Sequence, residues 1–165
     1  MDQHRREGAT GIGCAVVTVS DTRTLETDRG GPEVCRWLES SGHQVIARHL
    51  IPDEPTEMAR LVLELCERPE IAVILLTGGT GIGSRDQTFE TISRLLTKPL
   101  PGYGELFRML SFQEIGAAAM LSRAVGGLIG RVVVLTMPGS PSGVRLAMER
   151  LIIPELGHLV GQANR

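Results

Sequence analysis

Two aspartates and a run of glycines are the residues of this 165-residue chain best suited to chemistry. Gly78, Gly79, Gly81 and Gly83 fall within six positions, with Asp86 just after them and Asp53 further back. Glycines let bare backbone N–H groups approach a ligand closely, which suits phosphate oxygens. Two carboxylates sharing a site repel by roughly 4 kcal/mol at about 4 Å and an effective dielectric near 20. A cation between them removes that penalty, and Mg2+ takes one or two carboxylates together with phosphate oxygens and water. The plain structural uses are a glycine turn needed only for positive φ, Asp86 as an N-cap-type residue before a helix, and Asp53 as a turn former beside Pro52. Four glycines are costly to order and exceed what one turn requires, so the phosphate-and-metal reading is preferred.

Two familiar glycine motifs do not fit. Gly78 and Gly83 have the GxxxxG spacing of a P-loop, but Ser84 and Arg85 stand where Lys and Ser/Thr are required. Gly79, Gly81 and Gly83 give GxGxG rather than GxGxxG, and they follow the third apolar run of the chain, not the first. Further candidates lie in other loops. Ser20 and Asp21 can either cap their loop or touch a nucleotide. Pro138-Gly139-Ser140 forms a second glycine-bearing turn. Arg85, Arg108 and Arg123 carry guanidinium groups suited to anions. Thr88 and Glu90 read as helix-start residues. The four histidines have no triad-like partner. Cys14, Cys35 and Cys66 are odd in number and have no zinc spacing, so they read as reduced and structural.

The elements that must position these residues follow from apolar periodicity. Strands are expected at Ile12–Val19, Gln44–Ile51 and Ile71–Thr77, the last an unbroken apolar run typical of a strand buried on both faces. Helices are expected at Pro32–Ser41, opening on proline and stopped by Gly42, and at Thr56–Glu67. Strand and helix alternate, which calls for a parallel sheet with helices on both faces and right-handed crossovers. Further on, a helix is expected at Thr88–Leu96, a break at Pro99–Gly104, and short helices at Glu105–Leu110 and Glu114–Leu121. The small Ala117–Ala119 run allows a neighbour to approach closely. Val125–Ile129 and Arg131–Met137, split at Gly130, demand an antiparallel hairpin. A helix over Ser142–Gly161 closes the chain, kinked or restarted at Pro154. The expected fold is a three-layer α/β/α sandwich with a mixed, mainly parallel five-stranded sheet and one antiparallel edge strand. Ligands in such sheets sit beyond the carboxyl ends of the strands. Four loops meet there: Ser20-Asp21, Pro52–Glu54, Gly78–Asp86 and Pro138–Ser140.

Bulk properties narrow the function. The length suits one domain, here residues 11–165 after a polar tail at 1–10. A net charge of -2 offers no footprint for nucleic acid, and 3% aromatics offers no base-stacking platform. No apolar run reaches membrane-spanning length and no signal core opens the chain, so a cytoplasmic protein is expected.

Four segments then carry a resemblance. TGGTGIGSRDQTFE, PGYGELFR, MLSRAVGGLIGR and MPGSP occur in that order. Together they make the chain similar, from about Gly11 to Gly161, to the molybdopterin-binding fold family of molybdenum cofactor biosynthesis proteins. LIPDEP around Asp53 and the RLAMERLIIPELGHLV ending place the resemblance on the side of the B-type proteins, sisters of molybdopterin adenylyltransferase. The resemblance implies transfer of AMP from Mg-ATP to the terminal phosphate of molybdopterin, releasing pyrophosphate, before molybdate or tungstate is inserted. It implies that Asp53 and Asp86 are the catalytic, metal-binding acids. Nucleotide and phosphate contacts fall on Gly78, Gly79, Thr80, Gly81, Pro138, Gly139 and Ser140, and the loop reading above adds Ser20 and Asp21 as candidates. A molybdopterin contact falls on Ser122, and Arg123 and Arg108 are added to it as candidate anion clamps. The resemblance also implies a homo-trimer, or a hexamer of two trimers, and other proteins of the same pathway as partners. A non-catalytic molybdopterin carrier is the alternative within the family.

Overall fold

Alternating side chains on the central strands send two apolar sets to opposite faces, and the helices divide accordingly. A computed structural model describes residues 10–165, so all but Thr10 of the expected 1–10 tail lies outside the described residues. The sheet contains β1 (Gly13–Val19), β2 (Gln44–Ile51), β3 (Val73–Thr77), β4 (Lys98–Pro99), β5 (Gly126–Ile129) and β6 (Val132–Met137). Their order is β2-β1-β3-β6-β5-β4. β2, β1, β3 and β6 pair in parallel; β5 runs antiparallel to both β6 and β4.

On β3, Val73 and Leu75 join the core beneath α1 (Gly30–Ser40), α4 (Pro101–Ile115), α5 (Pro141–Ala147) and α6 (Ile153–Ala163). Ile74 and Leu76 join the core beneath α2 (Pro55–Cys66) and α3 (Thr88–Leu95). This is the expected three-layer α/β/α arrangement. In α2, Met58, Leu61, Val62 and Leu65 recur at helical spacing and are all buried, and Pro55 sits in the first turn, where its missing N–H costs no bond.

The structure departs from expectation in three places. The sheet has a sixth strand, so the antiparallel β5 is not the edge. Two residues, Lys98 and Pro99, cover it, and proline suits an edge because its N side needs no partner. The two short helices expected between residues 105 and 121 are one helix, α4, which begins at Pro101 inside the expected break at Pro99–Gly104 and is followed by a 3-10 turn at Gly116–Leu121. No breaker separates Leu110 from Glu114, and Gly116 ends the α-helix at φ +65°. The closing helix is interrupted by a π-helical turn at Met148–Ile152, after which α6 begins with Pro154 in its first turn. The wide turn precedes the proline and lets it start a helix rather than break one.

β5 is anchored by polar contacts. Thr136 Oγ1 receives the Val125 N–H at 2.9 Å and donates to the Val125 carbonyl at 3.0 Å. The buried Tyr103 hydroxyl donates to the Thr136 carbonyl at 2.7 Å. These bonds fix the segment that leads from Ser122 into the sheet. No described helix is long and apolar enough to cross a membrane.

Candidate functional site

Strand ends bring the glycine loop to the rim, and the residues around it lock its carbonyl side. Thr88, fully buried at the start of α3, donates its hydroxyl to the Gly78 carbonyl at 2.9 Å and its amide to the Gly79 carbonyl at 3.1 Å. Arg123 donates its amide to the Thr80 carbonyl at 2.9 Å and its Nε–H to the Gly81 carbonyl at 2.8 Å. The amides of Gly79, Thr80 and Gly81 have no protein acceptor among the described residues, nor do those of Gly139 and Ser140 across the rim. A loop whose carbonyls are tied and whose N–H groups are free is arranged to receive an anion.

Gly78 and Gly79 sit at φ +104° and +67°, where side chains are disfavoured. A Cβ at Gly79 would lie 2.4 Å from Asp53 Oδ2, and one at Gly81 would lie 2.8 Å from Asp86 Oδ2. These two glycines therefore make the room that the two acids occupy.

Asp53 and Asp86 are neighbours, as the spacing of their loops predicted. Asp53 is 4% exposed and stands behind Gly79, while Asp86 lines the cavity wall. Asp53 Oδ1 accepts the amide of Gln87, the residue after Asp86, at 3.1 Å. Asp53 Oδ2 accepts no hydrogen bond among the described residues. Asp86 Oδ2 closes the loop by accepting the Gly83 amide at 2.8 Å. Burial raises the Asp53 pKa to about 6; the charges of Asp86 and Asp21 add to this, and the Gln87 bond and Arg85 oppose it. A buried carboxylate with one oxygen free and an acid beside it fits a cation or a proton. Mg2+ accepts such a donor set when phosphate and water complete it.

Two cavities meet at this rim. One, of about 390 Å³, is bounded by the glycine loop and Asp86, by the Pro138–Ser140 turn, and by Phe107, Ser111, Ala118, Ala119 and Ser122. Ser122 lines this cavity, and its buried hydroxyl has no hydrogen-bond partner among the described residues. The second, of about 340 Å³, is bounded by Ser20, Arg23, Arg29, Gly30 and Thr77. Gly78, Gly139 and Ser140 belong to both and form the ridge between them. Ser140 caps α5, accepting the Gly143 amide at 3.2 Å, and the Thr77 hydroxyl donates to the Pro138 carbonyl at 3.0 Å.

The other candidates are placed more unevenly. Ser20 Oγ accepts the amides of Thr22 and Arg23, so it shapes its own loop while also facing the second cavity. Asp21 accepts the Asp53 amide and a two-pronged contact from Arg85, whose bond holds its carboxyl below the usual range. Arg123 is engaged by the Gly81 and Asp86 carbonyls and by Glu90, and it stacks over Phe89 at 5.3 Å. Arg108 donates to the Ala124 carbonyl at 3.0 Å. Neither guanidinium lines the cavity that Ser122 faces, so the structure does not group the three. Arg85, considered as an anion clamp, instead binds carboxylates. Thr88 and Glu90 do more than start a helix, since each fixes the glycine loop or its anchor.

Asp28 escaped notice in the sequence. It is buried at the mouth of the second cavity and accepts bonds from Thr18, Arg48 and the Gly31 amide. Burial works to raise its pKa, but those three bonds outweigh it and hold it low. Its only signal was an acid just ahead of Gly30-Gly31-Pro32.

Comparison with known proteins identifies the family. The family model described as a probable molybdopterin binding domain matches residues 15–158. The chain belongs to this molybdopterin-binding family. Molybdenum cofactor biosynthesis protein B from Bacillus cereus is 46% identical across 100% of this chain and 98% of its own, and the Bacillus subtilis protein of that name matches equally. A crystal structure of molybdenum cofactor biosynthesis protein B superposes with a TM-score of 0.92 at 48% identity, covering 94% of this chain and 98% of that one. The tungsten cofactor synthesizing protein MoaB from Pyrococcus furiosus superposes at 0.85 with 33% identity, covering 95% and 99%. The family and its place in molybdenum cofactor biosynthesis are thus established for this chain.

Proposed function

We propose that the protein adenylylates molybdopterin, transferring AMP from ATP to the terminal phosphate and releasing pyrophosphate. The observation that carries this reading is the ridge of Gly78, Gly139 and Ser140 shared by two cavities, with the free amides of Gly79, Thr80 and Gly81 and the Asp86 carboxylate on the wall of one of them and Asp53 just behind Gly79; each cavity would take one half of a bipartite product. A phosphate oxygen of molybdopterin would attack the α-phosphorus of ATP in line, forming one P–O bond as the bond to pyrophosphate breaks. Little covalent work falls to the protein in such a transfer, so positioning and charge neutralisation dominate.

The pterin half is assigned to the cavity that Ser122 lines, and the nucleotide to the one that Ser20 lines. The amides of Gly79, Thr80, Gly81, Gly139 and Ser140 hold phosphate oxygens where negative charge builds up. Asp53 and Asp86 would hold Mg2+, which when bound neutralises the phosphates. Asp53 must be ionised to do so.

Molybdate or tungstate insertion, carried out with other proteins of the pathway, would consume the activated product. A homo-trimer or a hexamer is also proposed. Its support is an uncovered apolar face on α4 and the following turn, where Leu106, Met109, Phe112 and Met120 are exposed.

The test is mass spectrometry after incubation with Mg-ATP and molybdopterin. Wild type should form adenylylated molybdopterin and pyrophosphate. Asp86→Asn should fold normally and lose on the order of 10²-fold in turnover or more. A wild-type protein that binds molybdopterin yet forms no product would be the carrier instead.

A further inference from the structure

Arg85 makes four contacts across three loops. Its Nε meets Asp21 Oδ2 at 2.9 Å and its Nη2 meets Asp21 Oδ1 at 3.3 Å, in the loop after β1. The same Nη2 reaches the Asp53 carbonyl at 3.3 Å and Glu54 Oε1 at 2.6 Å, in the loop after β2. Arg85 itself lies in the loop after β3. Asp21 Oδ1 completes the circuit by accepting the Asp53 N–H at 3.0 Å. The Arg85–Asp21 pair therefore grips both backbone polar groups of Asp53, while Gln87, two residues beyond Arg85, holds its carboxylate.

We propose that Arg85 is a positioning residue for the acid pair, holding Asp53 against Asp86 by tying the backbone of Asp53 to the glycine loop. The metal and substrate roles of those acids rest on the function proposed above. Two observations set this role apart from phosphate binding. Arg85 lines neither cavity, and its donors already face two carboxylates and a carbonyl. Two observations also set it apart from a stabilising ion pair. The Arg85 side chain is 59% exposed, a setting in which ion pairs contribute little to stability. Asp53 follows β2, an edge strand bonded to the sheet only through β1, so nothing in the sheet fixes Asp53 from its outer side. The planar fork lets Nε hold Asp21 while Nη2 reaches the Asp53 carbonyl and Glu54, a two-nitrogen hold that the single nitrogen of lysine does not reproduce.

The experiment compares full-length wild type with Arg85→Gln, Arg85→Lys, Asp21→Asn and the Arg85→Gln/Asp21→Asn double variant, using Mn2+ as the probe and electron paramagnetic resonance to count free metal. Each single variant should bind Mn2+ about tenfold more weakly, as outer contacts to metal ligands typically do. The double variant should be little worse than either single, because both break one circuit. Amide exchange at Asp53 and Glu54 should quicken in every variant. In the Arg85 variants, with Mg-ATP and molybdopterin, kcat should fall while the KM for ATP stays within about twofold, the split expected when positioning rather than binding is lost. Lysine carries the same charge as arginine, so that variant decides the matter if the glutamine variant folds poorly.

Wild-type Mn2+ affinity in Arg85→Lys, additive losses in the double variant, or no Mn2+ binding by wild type would overturn the proposal. If the affinities follow the pattern above but no protein forms adenylylated product, the enzyme reading falls and the positioning role stands.

Discussion

Replacing Gly79 by alanine should damage stability and the site together. At φ +67° an alanine costs roughly 1–2 kcal/mol relative to glycine. Its Cβ would lie 2.3 Å from Thr88 Oγ1 and 2.4 Å from Asp53 Oδ2, about 1 Å inside an ordinary contact. Thr88 is fully buried, and its hydroxyl cannot retreat without leaving the Gly78 carbonyl that it serves. Stranding that carbonyl adds about 1–3 kcal/mol. The sum is roughly 2–5 kcal/mol, which for a chain of this size lowers the melting temperature by about 5–15 °C. The carboxylate of Asp53 must also move by about 1 Å, a displacement that can cost on the order of 10²-fold in turnover. Differential scanning calorimetry and pyrophosphate release measure the two effects on one preparation. A Gly79→Ala protein that melts within about 2 °C of wild type and turns over normally would refute the tight-fit account of the glycine loop.

Gly161→Ala is the converse: nothing lies within 4 Å of the new Cβ in α6, so calorimetry should show a gain of about 0.5–1 kcal/mol. For Asp53, a carboxyl with a folded pKa near 6 holds its proton more tightly in the native state than when unfolded. The metal-free protein should therefore lose stability as pH rises from about 4 to about 6 and level off above, a slope that Asp53→Asn removes in pH-dependent melting. Metal affinity should run the other way, weakening as pH drops below about 6, and an Mn2+ titration across that range checks it. Phe112→Glu, at a side chain 61% exposed, should shift light-scattering mass from trimer or hexamer towards monomer.

The sequence disclosed the parts of this molecule that obey a short-range rule. Ile71–Thr77 announced a doubly buried strand, Gly130 a hairpin, and the loops ending β1, β2, β3 and β6 a common rim. Asp53 and Asp86 could be paired in advance because parallel strands deliver their carboxyl ends to one edge. What stayed hidden depends on partners distant in the chain. Arg123 reads as an anion clamp until its guanidinium is seen on the Gly81 and Asp86 carbonyls. Arg85 reads the same way until Asp21 is found in front of it. Asp28 sat in a polar loop with no pattern to set it apart, and the approach of Thr18 from β1 and Arg48 from β2 explains its burial. β4 was missed because two residues, one of them proline, carry no periodicity.

That β2 lies outermost in the sheet has a bearing on how activity would fade under mild stress. A strand clasped from one flank frays at lower cost than those between two neighbours, and Asp53 departs with it. The metal proposed for Asp53 and Asp86 would then be released while the middle of the molecule, built on β3 and β6, keeps its shape. Loss of metal retention should thus precede any loss of compactness on warming.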